Sequence, residues 1–265
     1  MKSFLSRGIA FALGAAVLMS ASTLSAANKP LKIGVSAGPY GDVLRETVKL
    51  AAKEGLQAEV VEFTEWTQIN EALQTGDIDA NNFQHVPYLE NQIKIRGYKI
   101  VPVVPSIVVP TALYSTKYQK ADEIPSGARI GIPNDPTNSA RALFLLQQAG
   151  IIKLKDDAPA GATIKDITDN PRKVTIVELD AAQLPRSLPD LHAAVITLNY
   201  AVLSGLDPKK SLAIEGAESR WTLVWAVREE RKDDPRIKRL IELYRSEPIK
   251  EFINTKFSGT ILPTW

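Results

Sequence analysis

The chain contains no cysteine, and this absence excludes several kinds of structure. Disulfide bonds cannot stabilise the fold, so a hydrophobic core must do so, and 265 residues with 45% hydrophobic content are enough to form one. A lipid anchor attached to an N-terminal cysteine thiol is not expected either. Because the chain has only two histidines, His85 and His192, and they are far apart, no zinc-ligand spacing is present. We therefore expect no metal and no cofactor.

Long hydrophobic runs are also absent. The N-terminal apolar run from Gly8 to Met19 has 12 residues, whereas a helix needs about 20 to cross a bilayer. It follows the basic residues Lys2 and Arg7 and precedes small residues, which is the pattern of a secretory signal peptide. We predict that residues 1–27 are a signal peptide cleaved before Asn28, or one residue earlier, and that the mature protein is soluble. A retained membrane anchor is the alternative.

The chain has little excess of either charge, with 32 basic and 30 acidic residues. Lys2 and Arg7 are the charged residues of the predicted signal, so its removal leaves equal numbers of the two signs. No basic surface for nucleic acid or anionic lipid is indicated, and we expect no nucleic-acid partner. Neither a G-x-S-x-G motif nor a phosphate-binding glycine loop is present. The sequence therefore favours binding over catalysis, and no catalytic residues and no enzyme activity are predicted.

Extended segments alternate with segments of helical periodicity in the first part of the chain. The extended segments are LKIGVS, AEVVEF and YKIVPVV, and the helical segments are DVLRETVKLAAKEG and TQINEALQTG. Gly55 and Gly76 mark the ends of the two helices. This alternation predicts an α/β fold with a mainly parallel sheet flanked by helices.

A second series of the same kind starts after the extended segment VVPTALYS. Its members are ARIGIP, NDPTNSARALFLLQQAG, KVTIVEL, LHAAVITLNYAVLSG and the strand TLVWAVR. Two helices, DDPRIKRLIELYRS and EPIKEFINTKF, follow near the C-terminus, and Lys153–Arg172 is predicted to be a long loop or peripheral turn. Two such series predict two lobes that face each other across a cleft.

The lobes are predicted to be discontinuous in sequence. Residues 28–110 and the return segment 224–265 are assigned to the first lobe, and residues 111–223 to the second. The basis is that VVPTALYS and TLVWAVR flank the second series and are suited to be crossing strands. Since ligands of open α/β sheets lie beyond the carboxyl ends of the strands, we expect a binding site in the cleft.

The segment DIDANNFQHVPYL, residues 77–89, mixes aromatic and amide side chains around Pro87. Phe83, His85 and Tyr88 are candidates for the wall of a binding site. The alternative is that Phe83 and Tyr88 are core residues and that His85 is a hydrogen-bonded structural histidine. The second histidine, His192, lies in an apolar segment and is interpreted as structural.

A second candidate segment, PNDPTNSARAL at residues 133–143, lies between a predicted strand and a predicted helix. A helix N-terminus offers free N–H groups and a partial positive charge, and Arg141 adds a planar guanidinium that fits a carboxylate bidentately. The alternative is a surface arginine on a capped helix. The loop context favours an anion-binding role for Arg141.

Seven segments together resemble the NlpA/MetQ-type methionine-binding lipoproteins, which are substrate-binding components of ABC importers. They occur in the family's order over nearly the whole mature chain, and DANNFQH and IPNDPTN are the most specific: GPYGDVLRETVK, GDIDANNFQHVPYL, LYSTK, IPNDPTNSARAL, ELDAAQLPRSL, LNYAVLSGLDP and FSGTILPTW. The resemblance implies a two-lobed periplasmic binding protein of the type II-like class. It also implies a monomer that closes on a methionine-like amino acid and delivers it to an ABC permease with its ATPase.

The resemblance also assigns roles to individual residues. Phe83, His85, Tyr88 and Trp66, which stands where the family has a tyrosine, would surround the ligand side chain, and Arg141 would hold the α-carboxylate. Aromatic walls suit a thioether, because contacts between sulfur and rings are favourable by about 0.3–1.5 kcal/mol.

The chain departs from the family at two ligand-holding asparagines, which align with Thr197 and Leu223. Thr197 can supply one hydroxyl, leucine can supply no hydrogen bond, and Asn199 is a further candidate for holding the ligand backbone. We therefore expect an apolar or sulfur-containing amino acid, or a close derivative, held by a different polar pattern. The alternatives are a binding protein re-tuned to a non-methionine ligand, an exported enzyme on the bilobed fold, and a signalling or adhesive surface protein.

Overall fold

The computed structural model describes residues 29–216 and 220–265, so the predicted signal segment and its cleavage site lie outside the described residues. The helices are α1 (Pro39–Lys53), α2 (Trp66–Thr75), α3 (Val86–Arg96), α4 (Pro136–Gln148), α5 (Leu184–Ser187), α6 (Leu198–Leu203), α7 (Pro235–Tyr244) and α8 (Glu247–Phe257). The longer strands are β1 (Leu31–Ser36), β2 (Ala58–Phe63), β3 (Ala80–His85), β4 (Ile100–Pro105), β6 (Thr111–Tyr114), β7 (Arg129–Pro133), β10 (Thr175–Leu179), β11 (Ala193–Thr197) and β13 (Leu223–Arg228). The short strands are β5 (Ile107–Val108), β8 (Lys153–Leu154), β9 (Ile167–Asp169), β12 (Ala213–Ile214) and β14 (Leu262–Pro263).

The first five-stranded sheet has the order β2-β1-β3-β13-β4. Strands β2, β1 and β3 pair in parallel, whereas β13 pairs antiparallel with both β3 and β4. Four strands of this sheet therefore run in one direction and β13 alone runs in the other. Since β13 follows the second series in sequence, the first lobe is completed only when the chain returns to it.

The second five-stranded sheet repeats this arrangement with the order β10-β7-β11-β6-β12. Strands β10, β7 and β11 are parallel, and β6 is antiparallel to both β11 and β12. The predicted α/β fold with two mainly parallel sheets is confirmed. Each sheet contains one antiparallel strand, and these are β13 in the first sheet and β6 in the second.

Each sheet has its own hydrophobic core. In the second lobe, alternate residues of β6 and β11 point to opposite faces, as the two-residue period of a strand requires. Leu113 and Val195 pack on one face with α4, while Tyr114 and Ile196 pack on the other with α5. Polar residues are scarce in these strands because both faces are buried.

Local sequence signals account for most helix boundaries. Helix α1 begins at Pro39, three residues before the predicted start at Asp42, because proline is well suited to the first helical turn. Gly76 and Gly97 end α2 and α3 in the left-handed conformation. Lys153–Arg172, predicted to be a loop or peripheral turn, contains the short pair β8 and β9. The candidate segment 77–89 becomes β3 followed directly by α3, with Pro87 in the first turn of that helix.

Candidate functional site

A cavity lies between the two lobes and is lined by residues of both. Small-molecule sites are concave and mostly apolar, with a few convergent polar groups, and this cavity has that character. Its wall combines aromatic side chains with a few polar groups: Tyr40, Trp66, Phe83, Gln84, His85, Tyr88, Asn138, Arg141, Thr197 and Leu223.

The junction of β3 and α3 forms one side of the cavity. The imidazole Nδ1 of His85 accepts a hydrogen bond from the Tyr88 backbone N–H at 3.1 Å, so His85 caps α3. The Tyr88 ring makes edge contacts with Phe83 and with Trp66, at centroid distances of 6.0 and 6.3 Å. These T-shaped contacts hold the rings as an enclosure of fixed shape.

His85 is held in one neutral form. Burial, and secondly the positive charge of Arg141, lower the pKa of His85 to about 3. Since Nδ1 accepts from Tyr88, the proton lies on Nε2, which is 3.2 Å from Asn138 Oδ1 and donates to it. This contact links the first lobe to α4 of the second lobe.

Buried amides support the wall from behind. Asn70 of α2 donates to Gln84 Oε1 at 2.7 Å, and its own Oδ1 accepts from Asn81 at 2.9 Å and from Gln84 at 2.7 Å. All three side chains are buried. Because buried amides need partners, this network fixes the orientation of Gln84 at the cavity wall.

Ser36, at the end of β1, connects the two lobes behind the aromatic wall. Its hydroxyl accepts from Trp66 Nε1 at 3.2 Å and from Asn199 Nδ2 at 3.0 Å. The Tyr40 hydroxyl reaches Asn199 Oδ1 at 3.4 Å. Asn199 therefore lies next to the cavity and joins the lobes, rather than forming part of the wall.

Arg141 is buried on α4 and is paired with an acid that was not predicted. Its Nε donates to Glu215 Oε1 at 2.8 Å, and its Nη2 bonds Glu215 Oε2 and the carbonyl of Val109. The guanidinium edge that was predicted to hold a carboxylate bidentately is thus occupied by Glu215. Nη1 makes no hydrogen bond to any residue in the ranges 29–216 and 220–265.

Thr197 and Leu223 line the cavity at the end of β11 and the start of β13. Both are buried. Thr197 Oγ1 has no hydrogen-bond partner among the described residues. A buried hydroxyl without a partner carries a cost of desolvation, so it is available to a ligand.

The structure brings seven of the eight predicted site residues to the cavity wall: Trp66, Phe83, His85, Tyr88, Arg141, Thr197 and Leu223. The alternative for Arg141, an exposed surface arginine, is wrong because only 3% of its surface is exposed. Tyr40, Gln84 and Asn138 also line the cavity, and they were not predicted from the sequence. Gln84 and Asn138 belong to the segments singled out above, so their position at strand-to-helix junctions was the available signal.

His192, the second histidine, lies outside the cavity wall. It accepts a hydrogen bond from the Arg129 N–H and stacks on Tyr118, in agreement with a structural role.

Two features of the described residues bear on membranes and metals. No helix in the ranges 29–216 and 220–265 is long and apolar enough to cross a membrane. The same ranges contain no group of three or more histidine, cysteine or acidic side chains placed to hold a metal ion.

The fold and the cleft define a two-lobed protein of the periplasmic binding class. The chain matches the NlpA lipoprotein family over residues 31–265 and belongs to that family. The D-methionine-binding lipoprotein MetQ of Escherichia coli (strain K12) is 43% identical over 239 residues, which cover 89% of this chain and 88% of MetQ.

Solved structures agree with this assignment. A nutrient binding protein from Burkholderia cenocepacia, bound to methionine, is 45% identical and superimposes with a TM-score of 0.84 over 89% of this chain and 100% of that chain. A periplasmic substrate-binding protein of an ABC transporter from Coxiella burnetii is 42% identical, with a TM-score of 0.84 over 88% of this chain and 100% of that chain. The names of these relatives describe binding proteins rather than enzymes.

Proposed function

We propose that this protein is the periplasmic substrate-binding component of an ABC importer and that its ligand is methionine or a related small amino acid. The observation that carries the proposal is an interlobe cavity with aromatic walls and one buried arginine. An amino acid with an apolar or thioether side chain matches both features. The names of the relatives support the same ligand class.

The aromatic side of the cavity is suited to the ligand side chain. Trp66, Phe83 and Tyr88 present ring edges and faces without an ionised group. A thioether gains about 0.3–1.5 kcal/mol from contact with an aromatic ring. The Leu223 side chain extends this apolar surface at the start of β13.

The polar side of the cavity is suited to the backbone groups of the ligand. Arg141 has Nη1 available for a carboxylate, and this contact would use one nitrogen of the guanidinium. Thr197 Oγ1 is available for a second polar group of the ligand. Leu223 stands where the family pattern described above has an asparagine, so the cavity offers the ligand backbone fewer hydrogen-bond donors and acceptors. This difference supports a ligand range different from that of the methionine carriers.

Export and assembly complete the proposal. Residues 1–27 act as a signal peptide, and the mature chain is a soluble, unlipidated monomer that meets a permease and its ATPase at the membrane. The lobes comprise residues 28–110 with 224–265, and residues 111–223. The two sheets support this division, because β13 joins the first sheet after the chain has built the second.

Mass spectrometry of the small molecule that co-purifies with the native protein tests the ligand. A thermal-shift panel should follow, with L- and D-methionine, other amino acids, methionine-containing dipeptides and deaminated analogues. We expect stabilisation by methionine or by a related apolar amino acid. A panel in which no apolar or sulfur-containing amino acid or derivative stabilises the protein would contradict the proposal.

A further inference from the structure

The positive charge of Arg141 is already balanced inside the protein. Glu215 bonds its Nε and Nη2 through both carboxylate oxygens, and the side chains of Arg141 and Glu215 are only 3% and 10% exposed. The Thr111 backbone N–H also donates to Glu215 Oε2 at 3.2 Å. The acid is therefore held in place by a second contact that does not involve Arg141.

Glu215 reaches Arg141 from the side away from the cavity. It lines a separate open groove with Phe144, Gln148 and Trp221, and it is not part of the cavity wall. A ligand in the cavity would touch Arg141 but not Glu215. Any influence of Glu215 on binding must therefore pass through Arg141.

The remaining polar residues of the wall add no compensating charge. His85 is neutral, and Asn138 is an amide whose Nδ2 donates to Asp135. The wall residues of the described part of the chain include no aspartate and no glutamate. A simple carboxylate entering the closed cleft would therefore bring a net negative charge into a site that is already neutral, and burying an uncompensated charge is costly.

We infer that Glu215 is a specificity-determining residue that makes the closed cleft select ligands of zero net charge, such as a zwitterionic amino acid, over simple carboxylate anions. This inference rests on the proposed function. The ligand carboxylate bonds Arg141 Nη1. Because Glu215 already neutralises Arg141, the ligand ammonium supplies the positive charge that balances the ligand carboxylate. Thr197 Oγ1 is an acceptor available to that ammonium.

The test compares two ligands that differ in this charge. Methionine and its 2-hydroxy acid analogue share the side chain and the carboxylate, but the analogue lacks the ammonium. Calorimetry should give tighter binding of methionine to the wild type. Glu215→Gln removes the negative charge and keeps the side-chain length. In this variant the preference for methionine, measured as the dissociation constant of the hydroxy acid divided by that of methionine, should fall by at least about tenfold.

Glu215→Asp is the matched control because it keeps the charge and shortens the side chain. Its ratio of dissociation constants should stay close to that of the wild type even if both affinities fall. An unchanged ratio in folded Glu215→Gln would overturn the inference, and so would an equal change in Glu215→Asp. If the wild type binds neither ligand, the proposed function fails instead, so the two failures are distinguishable.

A measurement on the wild type covers the case in which Glu215→Gln does not fold. Because a simple carboxylate adds a net negative charge to the cavity and methionine does not, the wild type should bind the hydroxy acid more weakly than methionine. Calorimetry measures both dissociation constants. Equal affinities of the wild type for the two ligands would overturn the inference.

Discussion

Arg141 shows how one side chain can be identified from its local sequence while its partner is not. Its position on the first turns of α4 indicated an anion-binding role, and its burial agrees with a functional side chain. Glu215 is 74 positions away in the sequence and reaches Arg141 only through the fold of the second lobe. Local sequence patterns contain no information about such a contact.

Substituting Arg141 tests the ligand carboxylate contact. Loss of one partner from a buried charged pair costs about 2–5 kcal/mol, so Arg141→Ala should weaken ligand binding by at least about thirtyfold. Calorimetry on the folded variant measures this. Arg220→Ala is the matched control, because Arg220 is an exposed arginine that lines the open groove next to Glu215 and lies outside the cavity wall. Equal affinities of wild type and Arg141→Ala would exclude the carboxylate role.

The lowered pKa of His85 predicts how the stability of the protein depends on pH. Its pKa is about 3 in the folded protein and 6.5 ordinarily, so between these values the unfolded chain binds the extra proton. The free energy of unfolding should therefore fall as the pH decreases below about 6.5, by at most about 1.4 kcal/mol per pH unit from this residue.

His85→Asn removes this titration and keeps a side chain suited to cap α3. Its stability should decrease less than that of the wild type between about pH 6.5 and pH 4. Urea unfolding at several pH values gives the comparison. Equal losses of stability in the two proteins over this range would show that the pKa of His85 is not lowered in the folded protein.

At the scale of single elements, β3 differs most from what its composition indicates. Four of its six residues are polar or imidazole side chains, yet the whole strand is buried. A neighbouring helix makes this possible, because Asn70 of α2 bonds both Asn81 and Gln84. The alternation of polar and apolar residues alone does not reveal that partner.

Asn70→Ala should therefore destabilise the protein by about 2 kcal/mol or more, because the buried Asn81 Nδ2 and Gln84 Oε1 lose their hydrogen-bond partner and only the Gln84–Asn81 bond of the network remains. Urea unfolding measures the change. Gln68→Ala on the same helix is the control, because Gln68 is exposed and its loss should change stability by less than about 0.5 kcal/mol. Similar effects of the two substitutions would show that the amide network does not support β3.

At the scale of the whole molecule, the lobes are joined by hydrogen bonds behind the cavity wall and by one within the wall itself. Asn199 bonds Ser36, and the Tyr200 hydroxyl donates to the Thr64 carbonyl at 3.0 Å. His85 and Asn138 form a third contact between the lobes. These bonds break if the lobes rotate apart, so they stabilise the closed arrangement.

Ligand should accordingly close the cleft by rotation about the segments that join the lobes. Small-angle scattering of ligand-free protein should show a larger radius of gyration than that of the liganded form. Asn199→Ala should keep the cavity wall, favour the open form, and weaken ligand binding. Scattering profiles that are the same with and without saturating ligand would contradict hinge closure.

The order of helices and strands, the two α/β series and the site segments 77–89 and 133–143 could be determined from the sequence alone. These features depend on short-range patterns: apolar periodicity, glycine stops, prolines in first turns and polar residues at strand ends. Only the tertiary structure decided that Asn199 joins the lobes, that Tyr40 reaches the cavity and that Glu215 pairs with Arg141. Those contacts join residues on different elements, and whether they meet depends on how the sheets and lobes pack, which no local pattern encodes.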